Sequence, residues 1–192
     1  VKRTPLLVLT TFFLQTAAAG ILLTSGLSKI RGEANLRTWE DLAERLRSPR
    51  FPARAASHTH VAVELLVGVT LLAGAWARVP ALVAATVLFA AFALLALYSV
   101  RAERAVTCSC FGKAESALGW PHVWRNAALT VLAATGLGCS LVLGPELPTL
   151  GGAAVALAAA VAVTAVAFYF DDLVDLFSPG AGGTPSAPLP HA

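Results

Sequence analysis

Long runs without a charged residue alternate with short polar segments along this chain, and that alternation predicts its architecture. Residues 4–28 contain no Asp, Glu, Lys or Arg, and neither do 79–100, 126–145 or 147–170. Residues 55–77 contain only Glu64. Each run holds about 20 residues or more, and at ~1.5 Å of helical rise per residue that length crosses a hydrocarbon core of ~30 Å. The pattern predicts transmembrane helices at about 5–28, 58–77, 79–100, 123–143 and 150–170. Gly136, Gly138 and Gly144 thin the fourth. The fold class expected is therefore an all-α integral membrane protein, a bundle of four to five transmembrane helices.

The connection after the first helix has a different period. In "NLRTWEDLAERLRSP", Leu36, Trp39, Leu42, Ala43 and Leu46 recur at helical spacing, while Glu40, Asp41, Glu44 and Arg45 point elsewhere. Pro49 and Pro52 end the pattern. An amphipathic helix at about 35–47 follows. Beside a membrane it lies in the interface, with Trp39 at headgroup depth; the alternative is a solvated loop helix. The fifth hydrophobic run is built largely of Ala, Val and Gly, which suits close helix packing in lipid. Residues 178–192 are Pro, Gly, Ser and Ala with no core-forming pattern, so a disordered tail is expected after a single helical domain at 1–177. Lys2 and Arg3 before the first run also fit a signal peptide. Against that, the run is longer than a usual h-region and no small-residue cleavage site precedes a polar domain.

Composition supports the membrane reading. Hydrophobic residues make up 57% of the chain and charged ones 13%, against about 25% charged in soluble domains. Arginine dominates the basic residues and methionine is absent, as in products of GC-rich bacterial genes. The net charge of +3 comes from basic residues flanking the helices, so it points to a lipid bilayer as the surrounding partner and not to nucleic acid.

Five crossings sort the polar segments onto two faces. One carries the long first connection, the starts of helices two and four, and the loop holding two of the chain's three cysteines. Lys29, His58, His60, Cys108, Cys110, Lys113, His122 and Arg125 collect there. Glu64 joins them about six residues into the predicted second helix, on the order of 9 Å from its start. A carboxylate at membrane depth costs a few kcal/mol and normally faces a partner or a polar cavity. His60, four residues earlier, shares its helix face. A structural ion pair and a proton-handling group fit Glu64 equally well.

Cys108 and Cys110 form a C-x-C pair followed by Phe111 and Gly112. A C-x-C disulfide closes a small, strained ring, which raises its reduction potential and favours exchange over stapling. Arg104, Lys113 and His122 favour the thiolate that performs exchange, and Gly112 leaves room for a tight turn. A zinc site built from Cys108 and Cys110 with His58, His60 or His122 is the alternative, although one-residue spacing is tighter than usual. Cys139, in "GLGCSLV", reads as a packing residue.

"CSCFG" followed by "HVWRNAAL", with "GLSKI" and "VELLVG" upstream, resembles the methylamine-utilisation MauE family within the DoxX-like membrane proteins. The resemblance covers roughly residues 5–143. It implies a helical membrane bundle that acts with a thioredoxin-like oxidoreductase in maturing a disulfide-rich extracytoplasmic subunit of methylamine dehydrogenase. The positions that match are Cys108, Cys110, Phe111, Gly112, Arg125, Asn126, Lys29 and Glu64.

The leading expectation is a membrane thiol–disulfide redox protein. Cys108 and Cys110 would cycle, Glu64 and His60 would manage protons or hold the bundle, and Lys29 and Arg125 would stabilise thiolate or position the loop. A membrane quinone is the candidate electron sink, with no residue that marks its site. The rival is a non-enzymatic assembly protein with structural or zinc-bound cysteines. A transporter has less support, since intramembrane polar residues are few. A bacterial plasma membrane location is expected. The cysteine face carries Lys29, Lys113 and nine arginines (31, 37, 45, 47, 50, 54, 101, 104 and 125) of 14 basic residues. That bias places it in the cytoplasm, whereas the resemblance and disulfide chemistry place it outside. The outside orientation is the expectation here.

Overall fold

The computed structural model describes residues 5–30, 33–45, 52–74, 76–101, 107–108, 116–117, 119–143 and 146–177. In chain order these form α1 (Pro5–Ile30), α2 (Glu33–Arg45), α3 (Ala53–Leu72), α4 (Arg78–Arg101), β1 (Thr107–Cys108), β2 (Ser116–Ala117), α5 (Trp120–Leu143), α6 (Leu150–Phe168) and α7 (Phe170–Phe177). Five of them, α1, α3, α4, α5 and α6, are long and apolar enough to cross a membrane. The protein is a helical membrane bundle, and among the described residues the one sheet is an antiparallel pair with Thr107 opposite Ala117 and Cys108 opposite Ser116.

The centre of the bundle is α1, which packs against α3, α5 and α6 and more lightly against α4 and α2. Small side chains allow this. Ala17, Ala18 and Ala19 are fully buried. The core joins Ile21 and Leu22 of α1 to Leu71 of α3, Leu82 and Phe89 of α4, and Leu129 and Ala133 of α5. Lipid is as apolar as leucine, so close packing and polar contacts hold such helices together. The outer faces carry exposed Leu66, Val87, Leu94, Val131, Leu141 and Val161, as a lipid-facing surface requires.

α1 and α3 approach each other closely, and two glycines permit it. A Cβ on Gly26 would lie 2.8 Å from Leu65 Cδ2, and one on Gly68 would lie 2.8 Å from Leu23 Cγ. Each helix thus presses a leucine into the other's glycine notch. The two notches lie three residues apart on each helix, Leu23 and Gly26 on α1 and Leu65 and Gly68 on α3, so α1 and α3 are held together beside the polar residues Ser25 and Glu64. Gln15 of α1 donates from Nε2 to the Leu71 carbonyl, one of the four carbonyls left open at a helix C-terminus.

Several helix limits differ from the sequence expectation, each for a local reason. α3 starts at Ala53, directly behind Pro52, because proline tolerates a first turn that needs no N–H from it. It ends at Leu72, and Gly74 with φ of +122° makes the turn, a conformation that favours glycine. α5 starts at Trp120, with its first turn closed by His122 and Val123 N–H groups on the Gly119 carbonyl. α6 ends at Phe168 and is followed by α7, a separate amphipathic helix beyond the expected helix at 150–170. At the opposite end of the bundle, Arg78 Nη2 donates to the Glu146 carbonyl at 3.3 Å. α2 covers most of the expected amphipathic helix and packs on α3. Residues 46–47 of that expectation, and the tail at 178–192, lie outside the described residues.

Candidate functional site

The polar groups form two clusters at the end of the bundle shared by α2, the start of α3, the end of α4 and the start of α5. The first begins with Ser25 and Lys29, one helical turn apart on α1, and with His60 and Glu64, one turn apart on α3. The Gly26–Leu65 notch brings these faces together. Lys29 Nζ lies 2.7 Å and 2.8 Å from the two oxygens of Glu64. It also donates to Ser25 Oγ at 3.0 Å. Ser25 Oγ in turn donates to Glu64 Oε1 at 3.0 Å. The three donors of the ammonium are therefore all engaged.

This pair is almost completely enclosed, with Lys29 and Glu64 side chains 3% and 1% exposed. Enclosing two charges costs several kcal/mol, and it is offset only when geometry and additional hydrogen bonds are good. Both conditions hold here. The Phe92 ring of α4 adds a face 5.6 Å from Lys29 Nζ, a cation–π contact. Because α3 begins at Ala53, Glu64 sits about 16 Å along the helix axis by ~1.5 Å rise per residue. It is a mid-helix residue, deeper than the sequence boundary implied.

His60 completes the first cluster. Its Nε2 lies 3.3 Å from Glu64 Oε1, yet neither ring nitrogen makes a well-directed hydrogen bond. The contact is thus electrostatic proximity without a hydrogen-bond geometry. The ring is held by packing, 5.7 Å from Trp39 of α2 edge-on and 5.1 Å from Phe92. α2 also packs against β1, the strand that carries Cys108. Through α2, the covering of the buried cluster and the backbone of the cysteine loop share one support.

The second cluster holds Arg125. Its Nη1 contacts Asp171 at 3.2 Å and 3.1 Å through Oδ1 and Oδ2. His122 Nε2 stands 3.6 Å from Asp171 Oδ1, and its Nδ1 accepts from the Gly119 N–H at 3.3 Å. Asn126 Nδ2 donates to the His122 carbonyl at 2.8 Å. The Arg125–Asn126 pair of the motif thus secures the start of α5 and ties it to α7. Asp171 was missed by sequence reasoning. Its signal was present: Phe170, Leu173, Val174 and Phe177 against Asp171, Asp172 and Asp175 have the period of an amphipathic helix.

The six residues singled out in the sequence therefore divide. Lys29, His60 and Glu64 meet in one cluster, with Ser25 as an addition. Arg125 belongs to the other. Cys108 has only its backbone described, paired across from Ser116. Cys110, Phe111, Gly112 and Lys113 lie outside the described residues. Cys139 is a half-buried free thiol on α5. Among the described residues no three of His, Cys, Asp and Glu gather as a metal site. The histidines considered as zinc ligands have separate surroundings: His60 faces Glu64, His122 faces Asp171, and His58 lines a cavity beside α2.

A family model described as "Methylamine utilisation protein MauE" matches residues 6–139. No curated protein matches the chain. No solved structure matches it.

Proposed function

The chain belongs to the methylamine utilisation protein MauE family, and on that premise we propose a multi-pass membrane redox protein that exchanges thiols and disulfides with a thioredoxin-like partner. Cys108 and Cys110 are the exchanging pair. A partner thiolate attacks the C-x-C disulfide, a mixed disulfide forms, and one thiolate of the pair leaves. The partner's second thiol attacks that bond, so the partner gains a disulfide and the pair becomes a dithiol. A membrane quinone then takes two electrons and two protons, re-forming the pair's disulfide and leaving quinol. An apolar groove of about 580 Å³ between α1 and α6, lined by Leu23, Leu157, Val161 and Phe168, offers hydrophobic room for such a carrier.

The observation that carries this reading is α2 bridging two elements: Trp39 lies on His60, and the same helix packs on the strand of Cys108. His60, with two unbonded nitrogens beside a carboxylate, is suited to accept a proton released at the loop. Trp39 and Phe92 hold its ring beside Glu64. The bacterial plasma membrane, an extracytoplasmic cysteine loop, and methylamine metabolism as the pathway served are parts of the same proposal.

Labelling intact cells with a membrane-impermeant maleimide tests it. Labelling of Cys108 and Cys110 only after reduction is expected. Labelling only after lysis would overturn the orientation. Unchanged partner redox state in Cys108→Ser and Cys110→Ser strains would overturn the redox role.

A second reading has its own support. The saturated Ser25–Lys29–Glu64 bonding is what a structural lock needs, and it favours a non-enzymatic assembly protein with structural or zinc-bound cysteines. About one zinc per chain, lost in Cys108→Ser, would establish that reading.

A further inference from the structure

A cavity of about 630 Å³ opens between the end of α1, α2 and the first turns of α3. Its polar wall presents the Arg54 guanidinium and the His58 imidazole. Arg54 and His58, one turn apart on α3, both line it and both are exposed. Among the described residues neither makes an ion pair or a side-chain hydrogen bond. Lys29 lines the inner end, but Glu64 and Ser25 occupy its ammonium. Asn35 lines the rim and is held there by Ser57, with Nδ2 donating to Ser57 Oγ at 2.8 Å. No acidic side chain is among the described lining residues. The first turn of α3 also contains no acid, and Pro52 supplies no side-chain cap, so the positive end of that helix adds to the field.

The rest of the lining is largely apolar, with Ile30 of α1, Leu36 of α2, and Val61 and Leu65 further along α3. Leu66 and Val69, further along α3, face outward. The cavity therefore has a cationic end at the helix termini and an apolar side continuing along a membrane-spanning helix.

We propose that this cavity binds the phosphate headgroup of an anionic phospholipid, with Arg54 and His58 as donors to the phosphate and an acyl chain along Leu65. Arginine donates to phosphate through two parallel N–H groups. Basic pockets between helices at the membrane surface have the chemistry that anionic headgroups require. A free phosphate would leave the apolar wall unused, which is why the lipid is the occupant assigned. The site is independent of the cysteine chemistry and stands whether or not that reading holds.

The test uses the full chain in detergent, titrated with dioleoyl-phosphatidylglycerol or dioleoyl-phosphatidylcholine and read by native mass spectrometry. One phosphatidylglycerol per chain should bind at least about tenfold more tightly than phosphatidylcholine, as expected for charge-assisted hydrogen bonds. The double variant Arg54→Gln/His58→Gln should lose that preference. Ala62→Trp, which fills the cavity and keeps its charges, should lose it too. Arg101→Gln, an exposed charge at the end of α4, should keep it. Millimolar inorganic phosphate should not displace the lipid. The proposal is overturned if the double variant and Ala62→Trp both retain the preference, or if Arg101→Gln weakens it equally. It is also overturned if inorganic phosphate displaces the lipid, which would make the site one for a free anion.

Discussion

Removing the two partners of the buried ion pair should have unequal costs. Lys29→Met leaves Glu64 at mid-helix, with a 1% exposed side chain. Its remaining contacts are the Ser25 hydroxyl at 3.0 Å and His60 at 3.3 Å. An uncompensated charge in such a place costs about 3–5 kcal/mol. Glu64→Gln leaves Lys29 instead, one residue before the end of α1. Its four-carbon stem can carry the ammonium to the interface, so the loss is that of a charged hydrogen bond, about 1.5–3 kcal/mol. The expected gap of about 2 kcal/mol is roughly thirtyfold in the unfolding constant. Lys29→Met/Glu64→Gln removes both charges and should cost less than Lys29→Met alone, a strong departure from additivity. Denaturant unfolding of the four proteins in mixed micelles, followed by tryptophan fluorescence, measures all of this. The reasoning is refuted if Glu64→Gln is as damaging as Lys29→Met, or if the double variant equals the sum of the singles. Partner oxidation by the double variant adds a second readout. A stable double variant without exchange activity would assign the pair to proton handling, and one with full activity would assign it to holding the bundle.

The other predictions concern how the clusters are held. Gly68→Leu places a side chain where Leu23 Cγ lies 2.8 Å from the new Cβ and the Leu23 backbone nitrogen 3.3 Å away; overpacking of about 1–3 kcal/mol is expected, read as easier unfolding, whereas Gly138→Leu, with open space around it, should be near neutral. Trp39→Ala removes the edge contact on His60, worth about 0.5–1.5 kcal/mol. It should also raise the maleimide reactivity of the cysteine loop through the lost α2 support, and unchanged reactivity would separate α2 from the loop. Asp171→Asn weakens a half-exposed ion pair, since the Asp171 side chain is 37% exposed, so the loss should be at most about 1 kcal/mol. Hydrogen exchange should quicken in α7 and at the start of α5 while the Lys29–Glu64 region stays protected.

The sequence by itself determined the membrane bundle. Charge-free runs of spanning length leave few alternatives, because a buried backbone in lipid must close its own hydrogen bonds as helix. It also placed Lys29, His60 and Glu64 on one face, together with Arg125, His122 and the cysteines, since polar residues at one end of apolar helices have few places to go. Only the tertiary structure decided the rest. The notches at Gly26 and Gly68 bring α1 within reach of α3, which makes Ser25 a bonding partner and closes the ion pair. No sequence period shows that, because it depends on which faces of two helices meet. Arg125 reads in sequence as a residue of the cysteine face; that Asp171 of α7 engages its guanidinium is a pairing no sequence spacing shows. His60 is likewise fixed by Trp39 and Phe92 from two other helices. Spacing along one helix predicts which side chains share a face; the partner across that face is chosen by packing, which sums contacts from segments far apart in the chain.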